Sequence, residues 1–436
     1  MQCLGIDIGS TTVKGAVLDV EGGRVGEVVR ERFPDPLPGL PARHFEVDPE
    51  QVVAATRSVL DQLLVGAPES AAVFFSGQMG GVILVDDGRR PLTNYLSWRD
   101  QRTLDAHSAA GSYVDEIERR WSDGELRELG NELKPGSATS LLFWLAENGR
   151  LPAAGNPCAI GDFVVGRLCG APLQMHATQA IGLLNLHTGN WHQTAFDRIG
   201  IGGVKWPPLA DLRRPIGIIA HSGRRIPCYP VLGDQQCALY GIDLQEDELS
   251  LNVSTGSQVS RITRHLQLGP YQSRRYVDDR YLNTITHLPA GRSLNVLVDL
   301  LTELAKVEGR PLSSPWSHIT RLAAEADGGG LECDLSFFAG PLGDTGRIDR
   351  ITTENLTVGN LFRAAFRTMA ANYGLCAERL DPSCSWKQLA LSGGLTQSVP
   401  VLRELIQQQF SAPVREFPEG EDVLNGLLCV AQTSVL

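Results

Sequence analysis

Two carboxylates, Asp7 and Asp234, stand where this 436-residue chain could do chemistry. Asp7 lies in Gly5-Ile6-Asp7-Ile8-Gly9-Ser10-Thr11-Thr12-Val13-Lys14. An apolar strand over 4–8 carries it to the strand's end, and a Gly-Ser-Thr turn leads into a second apolar run over 13–20. The tip of such a β-hairpin offers backbone N–H groups and the hydroxyls of Ser10, Thr11 and Thr12 to phosphate oxygens, with Gly9 permitting close approach. Lys14 can add a positive charge for a terminal phosphate, and Asp7 can hold a divalent cation through water, because Mg²⁺ keeps much of its hydration shell. The same residues would also make an ordinary hairpin around a glycine turn. Asp234 follows Val231-Leu232-Gly233 at a strand end and starts a helix, so its carboxylate can cap that helix or face a cleft.

A second stretch repeats the first. Leu249 to Val253 is an apolar strand, Ser254-Thr255-Gly256-Ser257 a hydroxyl-rich turn, and Val259 belongs to a strand leaving it. Two such hairpins, one in each half, favour the phosphate reading over the ordinary one, because a nucleotide held between domains needs a grip from both sides. Other polar groups sit at strand or helix ends. Ser76-Gly77-Gln78-Met79-Gly80-Gly81 follows a short buried strand, where α/β sheets bind ligands, so Gln78 is a candidate contact. Ser97-Trp98-Arg99-Asp100-Gln101-Arg102 reads as the start of a polar helix that either orders a sugar site or ties itself down by an ion pair. Gly393-Gly394, between a strand and a helix, lets a flat ring or phosphate approach the backbone.

The elements that must position these groups read as α/β. Asp48 and Pro49 start a helix through about residue 64, and helical patterns cover 114–129, 138–147, 161–168, 361–373, 399–410 and 423–432. In the last, Gly426 marks a place where a neighbouring backbone could come close. Leu294, Leu297, Val298, Leu301, Leu304 and Ala305 recur at helical spacing and are expected in the core. Residues 191–208 are rich in Gly and Pro and read as irregular. With 39 basic against 50 acidic residues the net charge is −11, which argues against nucleic-acid binding through a broad basic surface. No apolar run is long enough to span a bilayer, and nine scattered cysteines without a C-x-x-C suit a reduced, cytoplasmic setting and no zinc site.

Taken together, D-I-G-S-T-T-V-K, S-G-Q-M-G-G, S-W-R-D-Q-R, G-D-Q-Q-C-A, S-T-G-S and the late S-G-G resemble the FGGY carbohydrate kinases, over nearly the whole chain. The resemblance implies two actin-like (ribonuclease H-like) α/β domains of the sugar kinase, heat-shock protein and actin superfamily, 1–214 for sugar and 215–436 for nucleotide, with an interdomain cleft whose closure accompanies binding. It implies ATP and Mg²⁺ as cofactors, a small sugar as partner, no nucleic acid or membrane, and leaves a homodimer open. Asp234 would be the general base and, with Asp7, would flank the metal. Gly9, Ser10, Thr11, Thr12, Lys14, Thr255 and Gly256 would hold phosphates, Gly291 would line the nucleotide cleft, and Gly393, Gly394 and Ser398 would lie near adenosine. Gln78, Met79, Trp98 and Gln235 would meet the sugar. Many relatives carry a histidine at the position of Gly80, so the pocket gains room. With the match through Asp162, Asp234 and Asn252, this points to sedoheptulose as the acceptor, ahead of a pentulose such as xylulose or ribulose. A sugar- or nucleotide-sensing protein and an actin-like ATPase are the readings from another class.

Overall fold

The computed structural model describes every residue except Ala110, Glu416, Pro418, Glu419 and Leu436. The chain divides into two compact units, the first comprising Met1–Asp243, Ser273–Tyr281 and Glu419–Leu436, the second Leu244–Gln272 and Leu282–Pro418. The expected break after residue 214 thus falls inside the first unit, and so does Asp234, expected in the nucleotide domain. Strand pairing is the reason. The first unit's sheet holds β1 (Gln2–Ile8), β2 (Thr12–Asp19), β3 (Arg24–Val25), β4 (Val29–Arg32), β5 (Val73–Gly77), β6 (Gly217–His221) and β7 (Arg224–Gly233). They run in the order β6-β7-β5-β1-β2-β3, with β4 also on β2. Because β7 pairs in parallel with β5 in the middle of that sheet, the chain cannot part before it.

Register brings the chemistry together. In the antiparallel β1/β2 pair Asp7 stands opposite Lys14, in the parallel β1/β5 pair it stands beside Ser76, and in β5/β7 Gly77 stands beside Gly233. The C-terminal ends of three neighbouring strands therefore present Asp7, Gln78 and Asp234 along one sheet edge. Helices α1 (Pro49–Gly66), α2 (Ala138–Glu147), α3 (Ile160–Cys169) and α4 (Asp234–Gly241) belong to the same unit. In α1 the Asp48 side chain accepts the Glu50 N–H, Pro49 fills the first position, and Val52, Thr56, Val59 and Leu63 bury one stripe. The closing helix, Asp422–Val435, lies against α4 so closely that a Cβ on Gly426 would sit 2.0 Å from the Cys237 carbonyl oxygen, the close approach expected there.

The second unit repeats the plan. β8 (Glu248–Val253), β9 (Ser257–Thr263), β10 (Tyr281–Leu288), β11 (Gln388–Ser392) and β12 (Val414–Arg415) run in the order β10-β9-β8-β11-β12. β8 and β9 form the antiparallel hairpin, and β11 joins β8 in parallel with Asn252 beside Ser392. In each unit, then, a hairpin's first strand is flanked by a parallel strand that ends in Ser-Gly, at Ser76-Gly77 and Ser392-Gly393. Helices α5 (Gly291–Val307), α6 (Val358–Leu380) and α7 (Pro400–Phe410) pack there. Tyr373 of α6 is buried and its hydroxyl meets Ser257 at 2.8 Å.

Several local readings are corrected. On α5, Leu294, Leu297 and Val298 are buried, but Leu301 is 44% and Leu304 80% exposed, because only one narrow stripe of the helix is covered. Residues 97–102 do not start a helix. A turn over 97–100, closed by the Asp100 N–H on the Ser97 carbonyl at 3.0 Å and held by buried charge pairs, leads into a single 3-10 turn, Arg102–Leu104. The pattern over 114–129 breaks into Tyr113–Arg120 and Asp123–Glu128, each with its own serine capping box, and 191–208 contains a short helix, Gln193–Arg198. Among the described residues no helix is long and apolar enough to cross a membrane.

Candidate active site

Asp7 is 4% exposed. Its Oδ2 lies 3.6 Å from Lys14 Nζ, while its buried Oδ1 has no hydrogen-bond partner. Burial pushes its carboxyl up to about 7, against the pull of the Lys14 ammonium and with a further push from Asp234. Asp234, at the junction of β7 and α4, is also raised by burial. The Gln235 backbone N–H, donating to Oδ1 at 2.8 Å, opposes that rise, followed by Arg274 and Lys14. Buried Asp7, with an unused oxygen, and half-buried Asp234, whose charge it feels, make an oxygen-only donor set. Among the described residues no group of three His, Cys, Asp or Glu could hold a metal alone. The donor set therefore fits Mg²⁺, which keeps waters and takes ligands from phosphates, rather than zinc.

Around this pair the first hairpin is tightly tied. Gln78 donates from its backbone to the Ile8 carbonyl at 3.0 Å and from Nε2 to the Gly9 carbonyl at 3.3 Å, and its Oε1 accepts from the Tyr95 hydroxyl. Ser10 Oγ and Thr11 Oγ1 both accept from Arg99, at 3.0 and 3.3 Å. Thr12 opens β2 opposite Arg32. Lys14, expected at a terminal phosphate, instead gives its ammonium to Glu421 at 2.6 Å as well as to Asp7, and Glu421 also pairs with Arg30.

Of the residues expected to meet the sugar, Met79 reaches the same edge, since a Cβ on Gly233 would sit 2.6 Å from its sulfur. Gln235 accepts from Arg274, whose Nε also donates to buried Glu132 at 2.5 Å. Trp98 is 40% exposed, and Gly80 lies against it. Gly80 has φ +78°, and a Cβ there would come within 3.2 Å of Trp98 Cβ, so the backbone itself requires glycine whatever room it leaves. The motif around Trp98 is split in role. Asp100 and Arg102 are fully buried, Arg102 bridges Asp100 and Glu46 at 2.7 Å each, and Asp100 accepts the Phe45 N–H at 2.7 Å. Those charges are scaffold, whereas Trp98 and Arg99 face outward from it. Asp162 is buried in the first turn of α3, and burial holds its carboxyl well above the usual range.

In the second unit the expected nucleotide residues also gather. The Gly291 N–H donates to Ser254 O at 3.1 Å and the Arg292 N–H to Thr255 O at 2.8 Å, which ties the start of α5 to the turn. Asn252 Nδ2 donates to Ser392 Oγ at 3.0 Å and its Oδ1 accepts from Ser254, so Gly393 and Gly394 follow directly beside that turn. Added Cβ atoms on Gly256 or Gly394 would meet nothing within 4 Å, so both backbones face open space. Ser398 lies elsewhere, on a cavity of about 680 Å³ shared with Trp316, Arg363 and Pro400. Sequence reasoning missed Glu421, Arg274 and Glu132. Glu421 sits in an acidic pair before the closing helix, which was a usable signal, but nothing local marks the other two.

The model of the FGGY family of carbohydrate kinases, N-terminal domain, matches residues 2–241. The chain belongs to the FGGY family of carbohydrate kinases. It is 23% identical to the sedoheptulokinase of Mus musculus over 94% of this chain and 93% of that protein. It is 30% identical to a glycerol kinase of Marinomonas sp. over 55% of this chain, a match spanning half of that protein's length. The ligand-bound crystal structure of a xylulose kinase from Lactobacillus acidophilus superimposes with a TM-score of 0.87 at 21% identity, covering 100% of this chain and 89% of that one. The two-unit architecture is therefore that of the actin-like sugar kinases.

Proposed function

We propose that this protein transfers the γ-phosphate of ATP to the terminal hydroxyl of a ketose, with sedoheptulose converted to sedoheptulose 7-phosphate. The observation that carries the reading is half-buried Asp234 close enough to Asp7 for its charge to be felt there, at the strand ends where the buried Asp7 Oδ1 has no partner. Burial makes Asp234 a stronger base than a solvated carboxylate, suited to taking the proton from the attacking hydroxyl. Phosphoryl transfer needs little else than positioning and charge neutralisation. Mg²⁺, which Asp7 and Asp234 would hold with its waters, supplies part of that neutralisation. Gln78, Met79, Trp98 and Gln235 would orient the sugar. Ser10, Thr11 and Thr12 in the first unit and Thr255 and Gly256 in the second would bind phosphate oxygens. Gly291, Gly393, Gly394 and Ser398 would serve the nucleoside.

The match to a sedoheptulokinase along nearly the whole chain supports that acceptor, while the likeness to a xylulose kinase fold keeps a pentulose as the second reading. A sensing protein has no need of the base, nor an actin-like ATPase of the exposed Trp98. The test is ADP release with sedoheptulose, D-xylulose, D-ribulose and glycerol at equal concentration. The highest kcat/KM with sedoheptulose is expected. A higher value for either pentulose refutes the acceptor, and no sugar-dependent release with any of them refutes the kinase reading for this chain.

A further inference from the structure

We propose that Arg99 is the cation that meets phosphate at the tip of the first hairpin, in place of Lys14. The proposal rests on the ATP reading above. Lys14 has the position but its charge is already answered, by half-buried Glu421 at 2.6 Å and buried Asp7 at 3.6 Å. A cation so committed gives a phosphate little net attraction unless one of those pairs breaks. Arg99 is the reverse case. One guanidinium nitrogen donates to Ser10 Oγ and Thr11 Oγ1, the hydroxyls at the tip. Its carbon stands 5.4 Å from the Phe45 ring centre and 5.5 Å from that of Trp98, which fixes the plane without neutralising it. Among the described residues no carboxylate pairs with Arg99. Asp100, its neighbour in sequence, spends both oxygens on Arg102 and the Phe45 N–H.

The scaffold looks built to present this side chain. Asp100, Arg102 and Glu46 lock the segment in a turn closed by the Asp100 N–H on the Ser97 carbonyl at 3.0 Å, Ser97 Oγ accepts the Arg99 N–H at 3.2 Å, and the guanidinium projects to the hairpin with donors to spare. A planar fork of N–H groups matches phosphate oxygens two at a time, which an ammonium does not. Arg99 would then share the phosphate with the tip hydroxyls it already orders.

The test compares Arg99→Gln and Arg99→Lys with wild type, reading kcat and KM for ATP and for the ketose separately, alongside thermal melting. Expected for Arg99→Gln is a fall of about 10²-fold or more in kcat/KM for ATP, a ketose KM within about twofold, and an unchanged melt, with part of the activity recovered in Arg99→Lys. The proposal is overturned if kcat/KM for ATP stays within about threefold in both variants, or if the loss appears only in the ketose KM, which would place Arg99 on the sugar. Should Arg99→Gln fail to fold, Arg99→Lys decides. A folded protein with about tenfold lower kcat/KM for ATP supports the role, and one within threefold overturns it. If wild type itself shows no sugar-dependent ADP release, the kinase reading fails separately. Calorimetric titration with ATP alone then decides for Arg99, since unchanged affinity in Arg99→Gln overturns it and a tenfold loss supports it.

Discussion

Replacing Gly426 by alanine should disturb the sheet edge that carries Asp234 from behind. An added Cβ would lie 2.0 Å from the Cys237 carbonyl oxygen and 2.8 Å from the Cys237 sulfur. Carbon needs roughly 3.5 Å from such neighbours, so α4 and the closing helix must separate by about 1–1.5 Å. The facing glycine offers no relief, since a Cβ on Gly241 would itself sit 2.1 Å from the Asp422 carbonyl. Overpacking of this kind costs about 1–3 kcal/mol. Because Asp234 opens α4 one turn before Cys237, part of the displacement reaches the carboxylate, and about 1 Å of misplacement costs on the order of 10²-fold in rate. Urea melts and sugar-dependent ADP release would be measured for Gly426→Ala, with Gly66→Ala as control, where a Cβ meets nothing within 4 Å. The reasoning fails if Gly426→Ala melts within about 0.5 kcal/mol of wild type. If it is destabilised yet turns over normally, the helix crossing does not set the position of Asp234.

Asp234→Asn should keep the fold and nucleotide binding but lose about 10²–10⁴-fold in sugar phosphorylation, and near-normal turnover would remove Asp234 from that role. Arg102→Met strands the buried charges of Asp100 and Glu46, so a loss of about 3–5 kcal/mol is expected in denaturant melts; a loss under 1 kcal/mol would show that the network is not what holds the segment. Burial works against ionisation of Asp381, but hydrogen bonds from Ser383 and Ser385 and the Arg261 guanidinium outweigh it and hold its carboxyl down to about 2. A folded pKa below the unfolded one stabilises fully above about pH 4 and fades as pH falls toward 2. Asp381→Asn should therefore cost roughly 2 kcal/mol at neutral pH, and a difference from wild type that persists undiminished at pH 2 would contradict this.

The parts that were readable in the sequence are those whose cause is local. A Gly-Ser-Thr turn between apolar runs specifies each hairpin, Asp48-Pro49 specifies a helix start, and glycine in an apolar helix at 426 announces a close neighbour. What could not be read depends on partners far away. Ser273–Tyr281 joins the first unit through the Ser273 N–H on the Gly130 carbonyl and through Arg274 on Glu132, 142 positions earlier. Lys14 has the right spacing for a phosphate, but only the fold reveals Glu421 beside it. Helical periodicity at Leu301 and Leu304 signals an apolar face without saying whether anything covers it. Around Trp98, polar residues at helix-like spacing are held in a single turn by buried ion pairs, which override local propensity.

The closing helix belongs to the first unit although it is synthesised after the whole of the second. A ribosome adding about 5–20 residues per second needs roughly ten to forty seconds to pass from α4 to that helix. Throughout that interval the nascent protein has its two carboxylate strands but not the helix that backs α4, nor Glu421 to quiet Lys14. The second unit, whose own segments are complete sooner, can settle first. Birth order thus runs against chain order, and the half that carries Asp7 and Asp234 is the last to become solid.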